Sequence, residues 1–460
     1  MTQRVPLPSP FISAMQALLG ERFTQSPAWL AQHGRDESPF EAAPPDAIAW
    51  PLDEAEVQAI LRACDAHAVP VIARGAGTSL EGHLLAVHGG LSLDLSRMNA
   101  VLEISAENML VRVQPGVTRL QLQQALKDSG VFFPVDPGAD ASLGGMVNTR
   151  ASGTNAVRYG TMKELVLALR AVTASGEMLQ TGSQARKSSA GYDLTRLIVG
   201  SEGTLAVVTE ITLRLFPVPE GLGAAIVSFP GIDAACQTAM AVMQSGLPIA
   251  RCELLDVNAV RAVNQRDRLE LPESPLLLME FQGSPQQITE QAELVAEISK
   301  EWQGSGFQWA IRPEERNRLW AARHHAYHSA IQQVPGCRAV TTDACVPISR
   351  LADCINASVQ DVEEAGLPHF IVGHVGDGNF HLAYLIDPAQ VGQMEMAEQL
   401  NARLVRRAQT MGGTCTGEHG VGLHKKAFLQ EEAGETGLAW MRAIKQALDP
   451  KGILNPGKIF

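Results

Sequence analysis

The sequence predicts an α+β protein built from more than one domain, and three observations carry that prediction. At 460 residues the chain exceeds what a single hydrophobic core ordinarily encloses. Helical and strand-like patterns alternate up to Gly130, and the chain then turns strand-rich. A Pro217-Val-Pro219 break separates that portion from a second run of strands and long helices. Hydrophobic residues are 45% and charged residues 19% of the chain, a balance that supports a packed core and excludes disorder.

The elements follow in order. Residues 11–34 read as helical and run into a breaker region, Ser38–Pro45. Ala47–Trp50 is strand-like and meets Pro51. Asp53–His67 places acids at its start and apolar residues at Val57, Ile60, Leu61 and Cys64, the pattern of an amphipathic helix with a favourable N-terminal charge. Val69–Ala73 is a short apolar strand leading into a glycine-rich turn, Arg74–Gly82. Leu91–Leu95 and Leu110–Gln114 are further strands, and Thr118–Lys127 is a helix ended by Gly130. Leu165–Thr173, Met178–Gln180 and Leu205–Leu215 continue the strand pattern. Beyond Pro219, Ala224–Phe229 and Leu276–Phe281 with two intervening helices predict a second α+β unit, a sheet with helices on one side. Val391–Met411 and Leu438–Leu448 are helical. The resulting division is an N-terminal helical segment (1–45), a first domain (46–219), a second (220–412) and a C-terminal segment (413–460).

Thirty-seven basic residues against 49 acids give a formal net charge of −12, which argues against nucleic acid and anionic membrane as main partners. The seven cysteines are scattered without a Cys-x-x-Cys pair, as expected for reduced thiols. No haem-attachment or iron–sulfur pattern is present, so a one-electron partner has to be another molecule. Met1–Pro10 shows neither a secretory nor an Arg-rich presequence pattern, which predicts a bacterial cytoplasmic protein. No apolar run reaches membrane-spanning length; peripheral contact at the inner membrane stays open.

The densest chemistry lies late in the chain. Gly373-His-Val-Gly-Asp-Gly-Asn-Phe-His381 offers two imidazoles, and Gly417-Glu-His-Gly-Val-Gly422 adds a carboxylate with an adjacent imidazole. His374, His381 and Glu418 are the right ligand types for a catalytic divalent metal with open positions, and His419 is then left for proton transfer. Two other readings stand beside this one: a glycine-rich turn with structural histidines, and a structural zinc site that recruits Cys415. His324 and His328, four apart without a partnering acid, read as packing or solvated histidines. Asp377, between two glycines, reads as a turn former or a supporting residue.

Three small-residue stretches precede these motifs. Pro70–Leu80 is a strand running into glycines and hydroxyls whose amides could cradle a pyrophosphate; a plain tight turn fits it as well, because Leu80 breaks the dinucleotide fingerprint. Pro137–Gly160 is dense in small residues that suit close approach to a flat ligand. Lys187–Leu194 leads to Gly200-Ser-Glu-Gly-Thr204.

Together these stretches and the late histidine motifs resemble the FAD-linked oxidases of the vanillyl-alcohol-oxidase type, in the D-2-hydroxyacid branch that contains the cytochrome-linked D-lactate dehydrogenases. The resemblance runs from about residue 46 to the C-terminus. It implies a two-subdomain FAD-binding domain, an α+β substrate (cap) domain and a C-terminal segment returning to the flavin. By position, Arg74, Gly75, Ala76, Gly77, Thr78, Ser79, Leu80, Gly82 and His83 resemble the pyrophosphate loop. Pro137, Gly138, Ser142, Gly144, Gly145, Asn148, Ser152 and Gly153 resemble the second flavin wall. Glu202, Gly203 and Val208 fall where the family holds the adenosine part, and Asn455 falls near the isoalloxazine contacts. Thr78 stands where some relatives carry a flavin-tethering histidine, so the FAD is expected to be non-covalent. Arg323 resembles the family's substrate arginine. A guanidinium fork matches a carboxylate through two hydrogen bonds.

The implied reaction is FAD- and metal-dependent oxidation of a D-2-hydroxyacid, D-lactate to pyruvate, with zinc, manganese or iron as the metal. The electron acceptor is external: cytochrome c, a quinone or an electron-transfer flavoprotein. D-2-hydroxyglutarate dehydrogenase and the FAD subunit of a glycolate oxidase are the alternatives within the family. A flavin- or metal-binding regulatory protein is the alternative outside catalysis.

Overall fold

A computed structural model describes residue 4 and residues 6–460; residues 1–3 and 5 of the stretch read for targeting signals lie outside the described residues. The chain divides into two compact units. The first comprises residues 1–153, 160–218 and 418–460, and the second comprises residues 154–159 and 219–417.

In the first unit, the helix Glu54–His67 forms as its pattern predicts. Asp53 caps it by accepting the Glu56 amide at 2.9 Å, and Val57, Ile60, Leu61 and Cys64 are buried. Each of those aliphatic side chains contributes about 2 kcal/mol through burial. The helix joins two strands of a small sheet ordered Phe23–Thr24, Ala47–Ala49, Leu91–Asp94, Val71–Arg74, of which the last three run parallel. The N-terminal helical stretch is split into Ser9–Leu19 and Pro27–His33. Gly20, at φ +56°, ends the first helix, and Pro27 can only start a new one. Phe11, Met15 and Leu19 join the core of this sheet together with Ile453 and Leu454, so the end of the chain returns here. The Val71 amide donates to Ile453 O at 2.7 Å, and the Asn455 amide donates to Val71 O at 2.8 Å.

The second sheet of this unit is antiparallel, ordered Val101–Ser105, Leu110–Val113, Val207–Arg214, Val166–Val172, Met178–Gly182. The helices Arg119–Leu126 and Leu143–Thr149 pack apolar residues into its core. Thr118 and Gln121 form a capping box on the first of these helices. The C-terminal stretch Lys426–Leu448 is two helices that meet at Gly434 (φ +65°, ψ 175°), and the second contains the helix expected at Leu438–Leu448.

The second unit is built on one antiparallel sheet of eight strands. Its order is Ser305–Ala310, Gly221–Ser228, Leu276–Gly283, Arg251–Leu255, His369–His374, Asn379–Ile386, Arg338–Thr341, with Ala344–Cys345 also pairing to Asn379–Ile386. Helices cover both faces, which corrects the expectation of a one-sided sheet. A Cβ on Gly223 would meet Ile288 of the helix Pro285–Glu301, whereas the next residue, Ala224, packs with Trp320 and Ala326 of the helix Pro313–Gln332. Successive strand residues point to opposite faces, so the two helices lie on opposite sides. Asn379–Ile386 is buried along its whole length for the same reason.

The turn joining His369–His374 to Asn379–Ile386 depends on Gly378. Its φ is +78°, and a Cβ there would sit 2.0 Å from the Val346 carbonyl oxygen. Val346 donates its own amide to Gly378 O at 2.9 Å, so the segment following Ala344–Cys345 cannot withdraw without losing a hydrogen bond. Gly378→Ala is expected to lower stability by about 2–3 kcal/mol, read from the denaturant midpoint; a midpoint equal to the parent protein would show that the turn relaxes freely.

Candidate functional site

In the first unit, the strand Val71–Arg74 delivers the chain into the first glycine loop. Arg74 Nη1 donates to Arg35 O at 3.1 Å, which ties the start of the loop to the N-terminal segment. The Ala76 and Gly145 amides both donate to Ser142 Oγ at 3.3 Å, so one hydroxyl joins the first and second small-residue stretches. A Cβ on Gly75 would lie 1.9 Å from that oxygen, and only glycine permits the approach. Among the described residues, the amides of Gly77, Thr78, Ser79 and Leu80 donate to no protein acceptor. Four consecutive unassigned N–H groups beside a positive-φ glycine are the makings of an anion cradle, which fits a pyrophosphate.

Asn148 carries the structure onward. Its Nδ2 donates to Gly144 O at 2.8 Å, while its Oδ1 accepts the Gly203 amide at 2.9 Å. Asn455 Nδ2 donates to Glu202 O at 2.7 Å. Gly153 lies against Asp136, where a Cβ would come within 2.5 Å of the carboxylate, and the stretch leads back to Pro137 and Gly138. Ser152 is half-buried, and the Val208 side chain is buried in the apolar core. The expected residues from Arg74 to Asn455 thus fall in one unit, and hydrogen bonds link four separate segments of sequence. The third small-residue stretch differs: Lys187–Tyr192 is exposed, with Tyr192 at 94%.

Two buried carboxylates stabilise the loops around this cradle. Glu202 accepts the Val421 and Gly422 amides at 2.7 and 2.8 Å and lies 3.2 Å from His83 Nε2. Burial alone would raise its pKa, but His83 and those amides hold it below the usual carboxylate range. The same pairing lifts His83 above its ordinary value against the opposing effect of burial. Glu81 sits among three cationic or potentially cationic groups: Lys425 Nζ at 3.1 Å, His424 Nδ1 at 3.0 Å and His419 Nδ1 at 3.5 Å. Burial opposes its ionisation, yet Lys425 and the two histidines keep it well below the ordinary carboxylate value. Neither Glu81 nor Lys425 was identifiable from sequence, where each is one charged residue among polar neighbours.

In the second unit, strand register builds the histidine pair. Val372 lies opposite His381, and His374 lies opposite Asn379. His374 and Val372 share a face, so His374 and His381 are diagonal neighbours on it, with ring centroids 5.4 Å apart. Leu254 pairs with Gly373, and that register sets Glu253 across from His374 on the same face. His374 Nδ1 lies 2.8 Å from Glu253 Oε1, and His381 Nδ1 lies 3.0 Å from Thr342 O. Each ring therefore uses Nδ1 on a protein acceptor, and Nε2 is the atom suited to a metal. Arg323, on the helix Pro313–Gln332, donates Nε to Glu253 Oε2 at 2.7 Å. Glu253 is 1% exposed; burial works against its charge, but His374 and Arg323 hold its pKa low. Sequence reasoning missed Glu253, although one acid inside Arg251-Cys-Glu-Leu-Leu255 was a signal of a paired buried charge.

The next residue after Thr342 is Asp343, whose Oδ2 accepts Thr416 Oγ1 at 2.7 Å and the Gly417 amide at 2.9 Å. Glu418 and His419 follow Gly417 directly in the chain. The His324 ring lies 6.1 Å from that of Trp320, tilted by 38°, and His325 pairs with Asp267 at 2.6 Å. All seven cysteines are free, as expected. Among the described residues, no helix is long and apolar enough to cross a membrane.

Comparison with known proteins yields two family matches: "FAD binding domain" over residues 45–182 and "FAD linked oxidases, C-terminal domain" over residues 218–459. The chain is 45% identical over 453 residues to a probable mitochondrial D-lactate dehydrogenase of Danio rerio, spanning 98% of this chain and 91% of the relative. It is 43% identical to the mitochondrial D-lactate dehydrogenase [cytochrome] of Arabidopsis thaliana, spanning 99% and 80%. It is 36% identical to the glycolate oxidase subunit GlcD of Bacillus subtilis, spanning 96% and 94%. Among solved structures, p-cresol methylhydroxylase with substrate bound superposes with a TM-score of 0.82 at 17% identity, over 98% of this chain and 96% of that one. The expected fold, a flavin domain of the vanillyl-alcohol-oxidase type with an α+β cap, is borne out. The expectation of a bacterial cytoplasmic protein is overturned, because the two most similar of these relatives are mitochondrial proteins by name. It rested on missing presequence features at Met1–Pro10, and such a pattern has no bearing on the folded chain that these relatives share.

The Glu202 pairing has a pH signature. Its pKa is lowered in the folded chain, so its stabilisation is fully present above the ordinary value of about 4.5 and disappears as the pH falls through the lower folded value. Glu202→Gln is expected to flatten the acid side of the thermal-stability profile below about pH 5. A variant whose Tm falls with acid as steeply as the parent's would assign that slope to other carboxylates.

Proposed function

Because the chain belongs to the FAD-linked oxidase family, we propose that it oxidises a D-2-hydroxyacid, D-lactate to pyruvate, with non-covalent FAD, a divalent metal and an external cytochrome acceptor. The observation that carries this reading is the histidine pair with its fixed neighbour. Two imidazoles lie side by side with Nδ1 engaged, and a guanidinium is anchored through Nε by the carboxylate that also holds one of those rings. The D-lactate dehydrogenase names of the Danio rerio and Arabidopsis thaliana relatives support the substrate, and the latter's name supports the acceptor.

The amides of Gly77–Leu80, with Gly75, Ala76, Gly82, His83 and Arg74 around them, would hold the FAD pyrophosphate. Pro137, Gly138, Ser142, Gly144, Gly145, Asn148, Ser152 and Gly153 would form the opposite wall. Glu202, Gly203 and Val208 would lie by the adenosine and Asn455 by the isoalloxazine. His374, His381 and Glu418 would supply the metal's protein ligands, a donor set open to zinc, manganese or iron. When bound, FAD supplies a two-electron hydride acceptor, and the metal supplies Lewis acidity toward the substrate hydroxyl.

This chain's own residues do the rest. The two Nη groups of Arg323 would hold the substrate carboxylate and so fix which face of the α-carbon is presented. His419 would accept the hydroxyl proton at Nε2, because its Nδ1 faces Glu81. Loss of that proton and of the α-hydrogen with two electrons leaves the 2-oxoacid. A second reading, glycolate as substrate, is favoured by the 36% identity to the glycolate oxidase subunit, and relative kcat/KM for D-lactate and glycolate decides between them.

The purified protein is expected to be yellow and to bleach anaerobically with D-lactate, not with L-lactate. Prolonged chelation is expected to abolish bleaching while FAD stays bound. Bleaching by both enantiomers, or undiminished turnover in a metal-depleted sample, would contradict the proposal. His419→Ala is expected to slow anaerobic flavin reduction about 10²–10⁴-fold with FAD content unchanged. Reduction at the parent rate in stopped flow would assign the proton to another base.

A further inference from the structure

We infer that Glu253 is a positioning residue that prepares both ligand-binding functions of the second unit, the imidazole of His374 for metal and the guanidinium of Arg323 for the substrate carboxylate. The inference rests on the metal and substrate reading proposed above. A fully buried carboxylate is costly unless its oxygens are satisfied, and here each oxygen has its own partner. Oε1 lies 2.8 Å from His374 Nδ1, and Oε2 accepts Arg323 Nε at 2.7 Å. Charge balance alone would need only the arginine. The second contact holds the proton on His374 Nδ1, so that Nε2 carries the lone pair that a cation would take. The contact to Nε has a matching consequence for Arg323. With Nε occupied, the ends Nη1 and Nη2 remain, and among the described residues neither donates to a protein acceptor. That pair meets a carboxylate as a two-pronged fork.

The arrangement is fixed by the fold. Glu253 reaches His374 because the two strands are paired in the register Leu254↔Gly373, and it reaches Arg323 because the helix Pro313–Gln332 covers that face of the sheet. One carboxylate spans both groups, so the two functions should fail together when it is neutralised. Glutamine in its place has one acceptor oxygen for two donors and leaves one of them unmet.

The test is Glu253→Gln, purified with FAD and compared with the parent protein. Zn2+ and Mn2+ are titrated separately into metal-stripped protein with direct measurement of bound metal, and KM for D-lactate is measured at saturating metal. FAD content is expected to be unchanged. Metal affinity is expected to fall about 10–100-fold. KM should stay raised about tenfold, even where added metal restores turnover. If the glutamine variant does not fold, Glu253→Asp keeps the charge but shortens the reach, and it should shift at least one of the two quantities more than fivefold. Metal affinity and KM both within twofold of the parent, with only a lower Tm, would reduce Glu253 to a structural ion pair and overturn this inference alone. A parent protein that binds neither metal would overturn the metal reading and this inference with it.

Discussion

The pairing register of three adjacent strands is the constraint from which the chemistry of the second unit follows. Arg251–Leu255, His369–His374 and Asn379–Ile386 are locked so that Glu253, His374 and His381 share one face. A slip by one residue would send all of one strand's side chains to the opposite face, because strand side chains alternate. That register is secured twice. The apolar residues Leu255, Val372 and Ala383 on the same face are committed to the core beneath two helices, and the tight turn at Gly378 admits no side chain. Polar function is therefore carried at the end of a surface whose remainder is hydrophobic core.

The first unit relies on backbone instead. Its glycine loop offers four amides without protein acceptors among the described residues, and the side chains around it act mainly as staples between distant segments. Ser142 joins two of them, Asn148 and Asn455 both engage the Glu202–Gly203 turn, and Glu202 draws in the backbone at 421–422. Flat, anionic ligands are well served by such a surface, because backbone groups approach closely where side chains are absent. The chain terminus takes part as well, with Leu454 bridging to Val71 in parallel fashion.

Much of this was legible in the sequence where the signal is local. The helix Glu54–His67 shows both its apolar spacing and its aspartate cap, and the glycine and histidine motifs stand out because their residue types crowd into short windows. The reading failed where the cause lies at a distance. Leu276-Leu-Leu-Met279 is a continuous apolar run of a kind that two-sided burial produces, yet the expectation was a one-sided sheet. Glu253 meets His374 from 121 positions away and Arg323 from 70, separations over which no periodicity can speak. Lys425 is wholly buried against Glu81, although a lysine following Leu423-His424 has every local reason to be a surface residue.

The central claim is that two imidazoles, held by their Nδ1 atoms, present Nε2 to a divalent cation. X-ray absorption at the metal edge of the FAD-loaded, zinc-reconstituted protein tests it most directly. The account predicts a nitrogen and oxygen shell with the outer-shell scattering of two imidazoles, reduced to one in His381→Ala. A spectrum dominated by sulfur, or one unchanged by that substitution, would contradict it.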